Sequence, residues 1–200
     1  MFDPYVRKMI DPPLNVIGKR LADIGVSANS LTLLGFFLGS FAVVAIMLGR
    51  YSVAALFIAL NRLADGLDGA VARHTHLTDF GGFLDIVCDF IIYAGVIFAF
   101  GVVTTENLFY AAFLLLSFIG PMTSFLAYAI IASQRKIVCE RRGKKSFYYL
   151  GGICEGTETA CVLLFICMFP ASFQTVCIIF GILCWLTTLG RMYNAWADFA

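Results

Sequence analysis

Charge is what this chain has least of. Only 14% of its 200 residues are Asp, Glu, Lys or Arg, against about 25% in an ordinary soluble domain. With 60% hydrophobic residues and a mean hydropathy of +0.88, a soluble globular fold is excluded and an integral membrane domain is implied. The net charge of +1 offers no field to gather nucleic acid. No polar stretch is long enough for a second, soluble core. Residues 1–200 therefore read as one all-α membrane domain, with 1–24 a cytoplasmic interfacial segment and 25–200 a six-helix bundle. The opening residues lack a signal-peptide pattern, because their charges are scattered instead of preceding an apolar run. The seven cysteines include no C-x-x-C pair and fall mostly in apolar segments. That argues against a disulfide framework and for small apolar packing residues.

What is present in abundance is apolar sequence. Six segments approach the ~20 residues that a helix needs to cross a bilayer. They are 31–49, 52–73, 80–103, 108–132, 146–169 and 173–193, with Pro170 marking the turn between the last two. Lys and Arg set their orientation. Arg7, Lys8, Lys19 and Arg20 precede the first segment, and Arg135, Lys136, Arg141, Arg142, Lys144 and Lys145 lie between the fourth and fifth. The opposite side offers Arg50. Both termini are expected in the cytoplasm. The first two dozen residues mix apolar and charged positions, with Leu14, Val16, Ile17 and Leu21 expected on one face of an amphipathic helix lying along the interface. Pro12 and Pro13 can start such a helix, and would break one that began earlier.

Against this background four carboxylates stand out. Asp65 and Asp68 are i, i+3 on the second segment, and Asp85 and Asp89 are i, i+4 on the third, so each pair shares a helix face. Ionised groups in hydrocarbon are costly and are functional by default. Two such faces turned toward each other form a hard, oxygen-rich cage suited to a divalent cation. Asn61, Asp65, Asp68, Gly69 and Ala72 form one polar-and-small stripe, and Gly81, Asp85 and Asp89 repeat the arrangement. A purely structural reading pairs these acids with Arg62 and Arg73, but two cations do not neutralise four carboxylates. A cation or proton transporter needs acids along a path across the membrane, whereas these cluster at one side.

The same residues resemble the signature of the CDP-alcohol phosphotransferase family, D-x2-D-G-x2-A-R-x8-G-x3-D-x3-D. Asp65, Asp68, Gly69, Ala72, Arg73, Gly81, Asp85 and Asp89 supply it in order, with seven residues between Arg73 and Gly81 where the common pattern has eight. The string Ser27–Thr32 resembles the family's P-N-x-x-T opening of the first helix, with Ala28 in the place of proline. The six-helix layout is similar over nearly the whole chain. The resemblance implies an enzyme that takes a CDP-activated donor and an acceptor alcohol and releases CMP. Asp65, Asp68 and Asp85 would ligate two Mg2+ or Mn2+ ions with Asp89 touching one. Asp89 would act as catalytic base. Asn29, Thr32, Asp65, Gly69, Ala72, Arg73, Thr78 and Gly81 would line the CDP site. The chain carries no nucleotidyltransferase-like domain, so its donor would be made elsewhere.

The acceptor is less legible. Arg191, at the end of a long apolar run, and Arg135 in the basic loop are candidate contacts for an anionic acceptor, although the loop also fits ordinary positive-inside charge and Arg191 could snorkel to the interface. Glu155 and Glu158, i, i+3 on the expected fifth helix, are candidates for acceptor hydroxyls or an amine, or for pairing with Arg62 or Arg191. The reading that results is a phosphatidyltransferase moving the phosphatidyl group of CDP-diacylglycerol to a small polar alcohol. A CDP-linked amino alcohol donating to diacylglycerol is the alternative within the family. The partners expected are the donor, the acceptor and membrane lipids, with no nucleic acid, and the chain is compatible with a homodimer. The active site is expected to face the cytoplasm.

Overall fold

The structure, a computed structural model, describes the backbone of residues 3–135 and 152–200. Helices account for nearly all of it, and no strand occurs among the described residues. They are α1 (Asp3–Asp23), α2 (Ala28–Met47), α3 (Tyr51–His74), α4 (Asp79–Val103), α5 (Leu108–Gln134), α6 (Gly156–Met168) and α7 (Phe173–Phe199), with 3-10 turns at Thr105–Asn107 and Pro170–Ser172. Among the described residues, four stretches are long and apolar enough to cross a membrane: Ala28–Met47, Asp79–Val103, Thr105–Gln134 and Pro170–Phe199. At 24 residues α3 reaches about 36 Å, but its four charged side chains between Arg62 and Arg73 dilute its hydropathy.

The fifth segment departs from expectation. The structure begins its helix at Gly156, so α6 has 13 residues and a length of about 20 Å, short of the ~30 Å hydrocarbon core. Residues 152–155 are not helical, because Glu155 adopts extended backbone and caps α6 instead of continuing a helix. The preceding part of the expected segment, 146–151, lies outside the described residues, as do Lys136 and the basic residues from Arg141 to Lys145.

Among the described residues, two glycines close tight turns with a positive φ: Gly25 (83°) between α1 and α2, and Gly49 (70°) between α2 and α3. These connections set α2 against α3, while α4 also packs on α2, α5 pairs with α7, and α6 lies against α3. The core is built from small, aliphatic and aromatic residues, including Ala42, Ala54, Val96, Leu114 and Ile166, with Phe100 stacked between Tyr51 and Phe173 at centroid distances of 5.4 and 4.8 Å. Five of the six described cysteines are buried and all six are free thiols, so they pack as apolar residues; Cys139 is outside the described residues.

The N-terminal segment is one helix that runs through Pro12 and Pro13, and it docks on α3. Its inward face is narrow. Leu14 and Gly18 are buried, whereas Val16 and Ile17 are exposed. Contact with α3 selects this face: a Cβ on Gly18 would lie 2.5 Å from Ala70 Cβ, and one on Gly66 would lie 2.7 Å from Leu14 Cδ1. Gly18 and Gly66 thus let two helices approach where a side chain would hold them apart.

Candidate metal and nucleotide site

Helices α3 and α4 bring three of the four carboxylates together. One oxygen from each of Asp65, Asp68 and Asp85 falls within 4.8 Å of the others. This is a hard, all-oxygen donor set of the kind that Mg2+ and Mn2+ take, so the residues present fit a divalent cation. Helix α2 orients the group. Thr32 Oγ1 donates to Asp68 Oδ2 at 2.6 Å, and Asn61 Nδ2 donates to the Gly35 carbonyl at 2.8 Å, which fixes α3 against α2.

The residues expected around a cytidine diphosphate lie on α2, on α3 and at the start of α4. Thr78 caps α4 by accepting the Gly81 N–H at 3.0 Å. A Cβ on Gly81 would sit 2.9 Å from Thr78 Oγ1 and 3.0 Å from Asn29 Oδ1. The N-termini of α2 and α4 therefore converge at Gly81, and the turn with one residue fewer than the common pattern still forms a capped helix start. One turn from Gly69, the Arg73 guanidinium is held by Asn15 Oδ1, which accepts from Nε at 3.1 Å and from a terminal nitrogen at 2.9 Å. Ala72 sits on the same helix and is partly buried.

Asp89 has protein partners of its own. Both of its oxygens are bound by Arg62, with one terminal nitrogen donating to Oδ2 at 3.1 Å and the other to Oδ1. Tyr93 Oη donates to Oδ2 at 2.9 Å. The same guanidinium lies 3.5 Å from Asp65 Oδ2, so Arg62 bridges the cage and the fourth acid.

The acceptor candidates separate. Glu155 accepts the Gly152 N–H at 2.8 Å and the N–H of Glu158, and Glu158 accepts the Glu155 N–H at 3.2 Å, a reciprocal capping box. Both acids thereby shape the start of α6. Arg191 is buried, donating to the Pro121 carbonyl at 2.7 Å with its guanidinium 5.9 Å from the Phe125 ring. Its surroundings correct the expectation that it could snorkel to the interface. Arg135 is exposed, donates to the Phe199 carbonyl at 3.0 Å and lies over that ring at 5.2 Å. Gly152, before α6, lies near Arg191, and Gly156, its first residue, lies near Tyr93. A Cβ on Gly152 would be 3.3 Å from an Arg191 nitrogen, and one on Gly156 would be 3.8 Å from Tyr93 Oη.

Sequence reasoning missed Asn15 and Tyr93 and treated Arg62 only as a counter-charge. Tyr93 had a signal available, since it lies four residues beyond Asp89 and must share its helix face. Asn15 had none, because only the docking of α1 places it beside Arg73.

A family model described as CDP-alcohol phosphatidyltransferase matches residues 26–197. The chain is 45% identical over 197 residues to inner membrane protein YnjF of Escherichia coli (strain K12), covering 98% of this chain and 96% of that one. It is 30% identical over 194 residues to archaetidylinositol phosphate synthase of Pyrococcus horikoshii, covering 95% and 94%. Among solved structures it is similar to the phosphatidylinositol phosphate synthase of Mycobacterium tuberculosis with CDP-DAG bound, with a TM-score of 0.72, 20% identity and coverage of 92% and 93%. A second structure of that enzyme, in complex with manganese and citrate, aligns with a TM-score of 0.71 at 20% identity, over 92% and 88% of the two chains.

Proposed function

This chain belongs to the CDP-alcohol phosphatidyltransferase family, and from that premise we propose that it transfers the phosphatidyl group of CDP-diacylglycerol to a small polar alcohol and releases CMP. The observation that carries this reading is the meeting of Asp65, Asp68 and Asp85 within 4.8 Å. In this reading the three carboxylates would hold two Mg2+ or Mn2+ ions, with Asp89 touching one. Bound there, the ions supply charge neutralisation for the donor diphosphate and for the leaving CMP. Thr32 keeps Asp68 aimed at the cage. Asn29, Gly69, Ala72, Arg73, Thr78 and Gly81 line the nucleotide. Asp89 accepts the proton of the acceptor hydroxyl as its oxygen bonds to the β-phosphorus and the bond from that phosphorus to CMP breaks.

The acceptor best supported is a phosphorylated polyol. Glu155 and Glu158 shape the start of α6, which weakens the case for an amine acceptor. Arg191 supplies a cation behind the same loop, with Arg135 at the end of α5. Two relatives are named as synthases of inositol phosphate lipids. Six crossings, with α3 and α6 completing the four apolar spans, α1 lying along the cytoplasmic interface and both termini in the cytoplasm, belong to the same reading. A homodimer is compatible with it.

The test is to incubate purified protein with labelled CDP-diacylglycerol, Mg2+ or Mn2+, and a panel of polyols, polyol phosphates and amino alcohols. CMP release with a polyol phosphate is the expected result. Turnover only with a CDP-linked amino alcohol and diacylglycerol would overturn the donor assignment, and no CMP with any pair would overturn the activity.

A further inference from the structure

Arg73 is exposed and carries its charge on a long flexible stem, yet its guanidinium is held in one setting. Asn15 Oδ1, on α1, accepts from Nε at 3.1 Å and from Nη2 at 2.9 Å. Both bonds converge on one oxygen, so they fix the edge of the fork that faces α1, and with it the guanidinium plane. The identity of that oxygen follows from chemistry. A guanidinium has five donors and no acceptor, so the amide must present Oδ1 and turn its NH2 away. The third nitrogen, Nη1, takes no part in these bonds. It lies against Gly69, one turn back on α3, where a Cβ would sit 3.4 Å from it.

The seam between α1 and α3 has the spacing that this contact needs. Leu14 meets Gly66 and Gly18 meets Ala70. Asn15 follows Leu14 and precedes Gly18 by less than one turn, and Arg73 lies just under one turn beyond Ala70, so both residues border the packed faces. Asparagine is short, and it reaches α3 because the glycines bring the two helices close. Docking alone does not call for an amide at position 15, since an apolar side chain of the same size would fill the space. The polar group and its aim are what require a role.

We propose that Asn15 is a positioning residue that turns Arg73 Nη1 toward Gly69 and so makes α1 part of the donor-binding site. The inference rests on the reading of Arg73 as a contact of the CDP donor. An exposed arginine left to itself spreads over many rotamers, and ordering it on binding lowers donor affinity. Asn15 orders it beforehand. Because it acts through a binding contact, its loss falls on donor KM and leaves kcat in place.

The test uses Asn15→Leu, Asn15→Asp, Arg73→Ala and the combination of Asn15→Leu with Arg73→Ala, in purified full-length protein. Turnover with CDP-diacylglycerol and a polyol phosphate is measured beside melting temperature and a direct titration with CDP in the presence of Mn2+. Asn15→Leu is expected to raise donor KM and CDP Kd about three- to tenfold, the scale of ordering one rotamer-rich side chain, with kcat and acceptor KM within about twofold of wild type. Asn15→Asp keeps an acceptor oxygen in the same place and is expected to bind CDP more nearly as wild type does. That comparison separates the hydrogen bond from the packing of α1, even where Asn15→Leu lowers the melting temperature. In the Arg73→Ala background Asn15→Leu should cost nothing further, because a residue that acts through Arg73 has nothing left to position. Unchanged donor KM and CDP Kd in Asn15→Leu would overturn the inference, as would an undiminished loss in the Arg73→Ala background or an Asn15→Asp variant no better than Asn15→Leu. Wild-type CDP binding by Arg73→Ala would overturn the reading of Arg73 on which the inference rests. Absence of CMP release by the wild-type protein with every acceptor would overturn the proposed activity instead, and the CDP titrations would still decide the part played by Asn15.

Discussion

Asp68 shows how much one side chain in this site depends on its neighbours. It is buried, and Thr32 donates to it at 2.6 Å from another helix. A hydrogen bond to an ionised group contributes about 1.5–3 kcal/mol. Thr32→Val keeps the shape and removes the donor, so it is expected to weaken Mn2+ binding by roughly tenfold or more while preserving the fold; an isotherm on the purified variant checks this. The carboxylates themselves should respond more severely. Asp65→Asn, Asp68→Asn and Asp85→Asn each replace a ligand oxygen's charge with a neutral amide, and turnover should fall by at least about a hundredfold with donor binding weakened in parallel. Asp89→Asn should lose about 10²–10⁴ in rate and still bind CDP-diacylglycerol in the presence of metal. Donor affinity measured beside turnover for all four variants separates the two roles.

At the scale of elements, two contacts decide how the helices meet. The first is the seam between α1 and α3, where Gly18 stands against Ala70 and Leu14 against Gly66. Gly18→Val would force these helices apart, an overpacking cost of about 1–3 kcal/mol. Asn15 would then be drawn from Arg73, so the variant is expected to show a lower melting temperature together with a raised donor KM. The second is the start of α6, where Glu155 and Glu158 cap each other's backbone. Glu155→Ala removes the capping side chain and should destabilise the protein by about 1 kcal/mol, read as a shift in melting temperature. If Glu155 bound an acceptor hydroxyl instead, the variant's main change would be a raised acceptor KM.

For the whole molecule, the prediction concerns sidedness. The turns at 24–27 and 75–78 bracket the ends of α2, α3 and α4 that carry the cage, and the turns at Gly49 and Thr105–Asn107 lie at the other ends of those helices. In a variant lacking native cysteines, single cysteines at positions 76 and 105 are expected to react from opposite sides of the membrane, with 76 on the cytoplasmic side. Labelling of both from one side would reject a membrane-crossing α4 and with it the six-helix arrangement.

The sequence by itself determined the class of molecule and the chemistry of its centre. Low charge and long apolar runs leave no soluble fold, and acids at i, i+3 and i, i+4 must share helix faces whatever surrounds them. Those are local properties of a helix. Which acids meet is a property of how α2, α3 and α4 pack, and only the tertiary structure groups Asp65, Asp68 and Asp85 while turning Asp89 onto Arg62 and Tyr93. The contact face of α1 was not legible for the same reason, since Gly18 carries no hydrophobic signal and its value lies in the contact with Ala70. The start of α6 was hidden because Glu155 reads as a charge on a helix, while its actual part is to end the extended backbone before it. Arg191 reads along the chain as an acceptor contact or a snorkelling cation, and only the approach of Pro121 and Phe125 shows it buried.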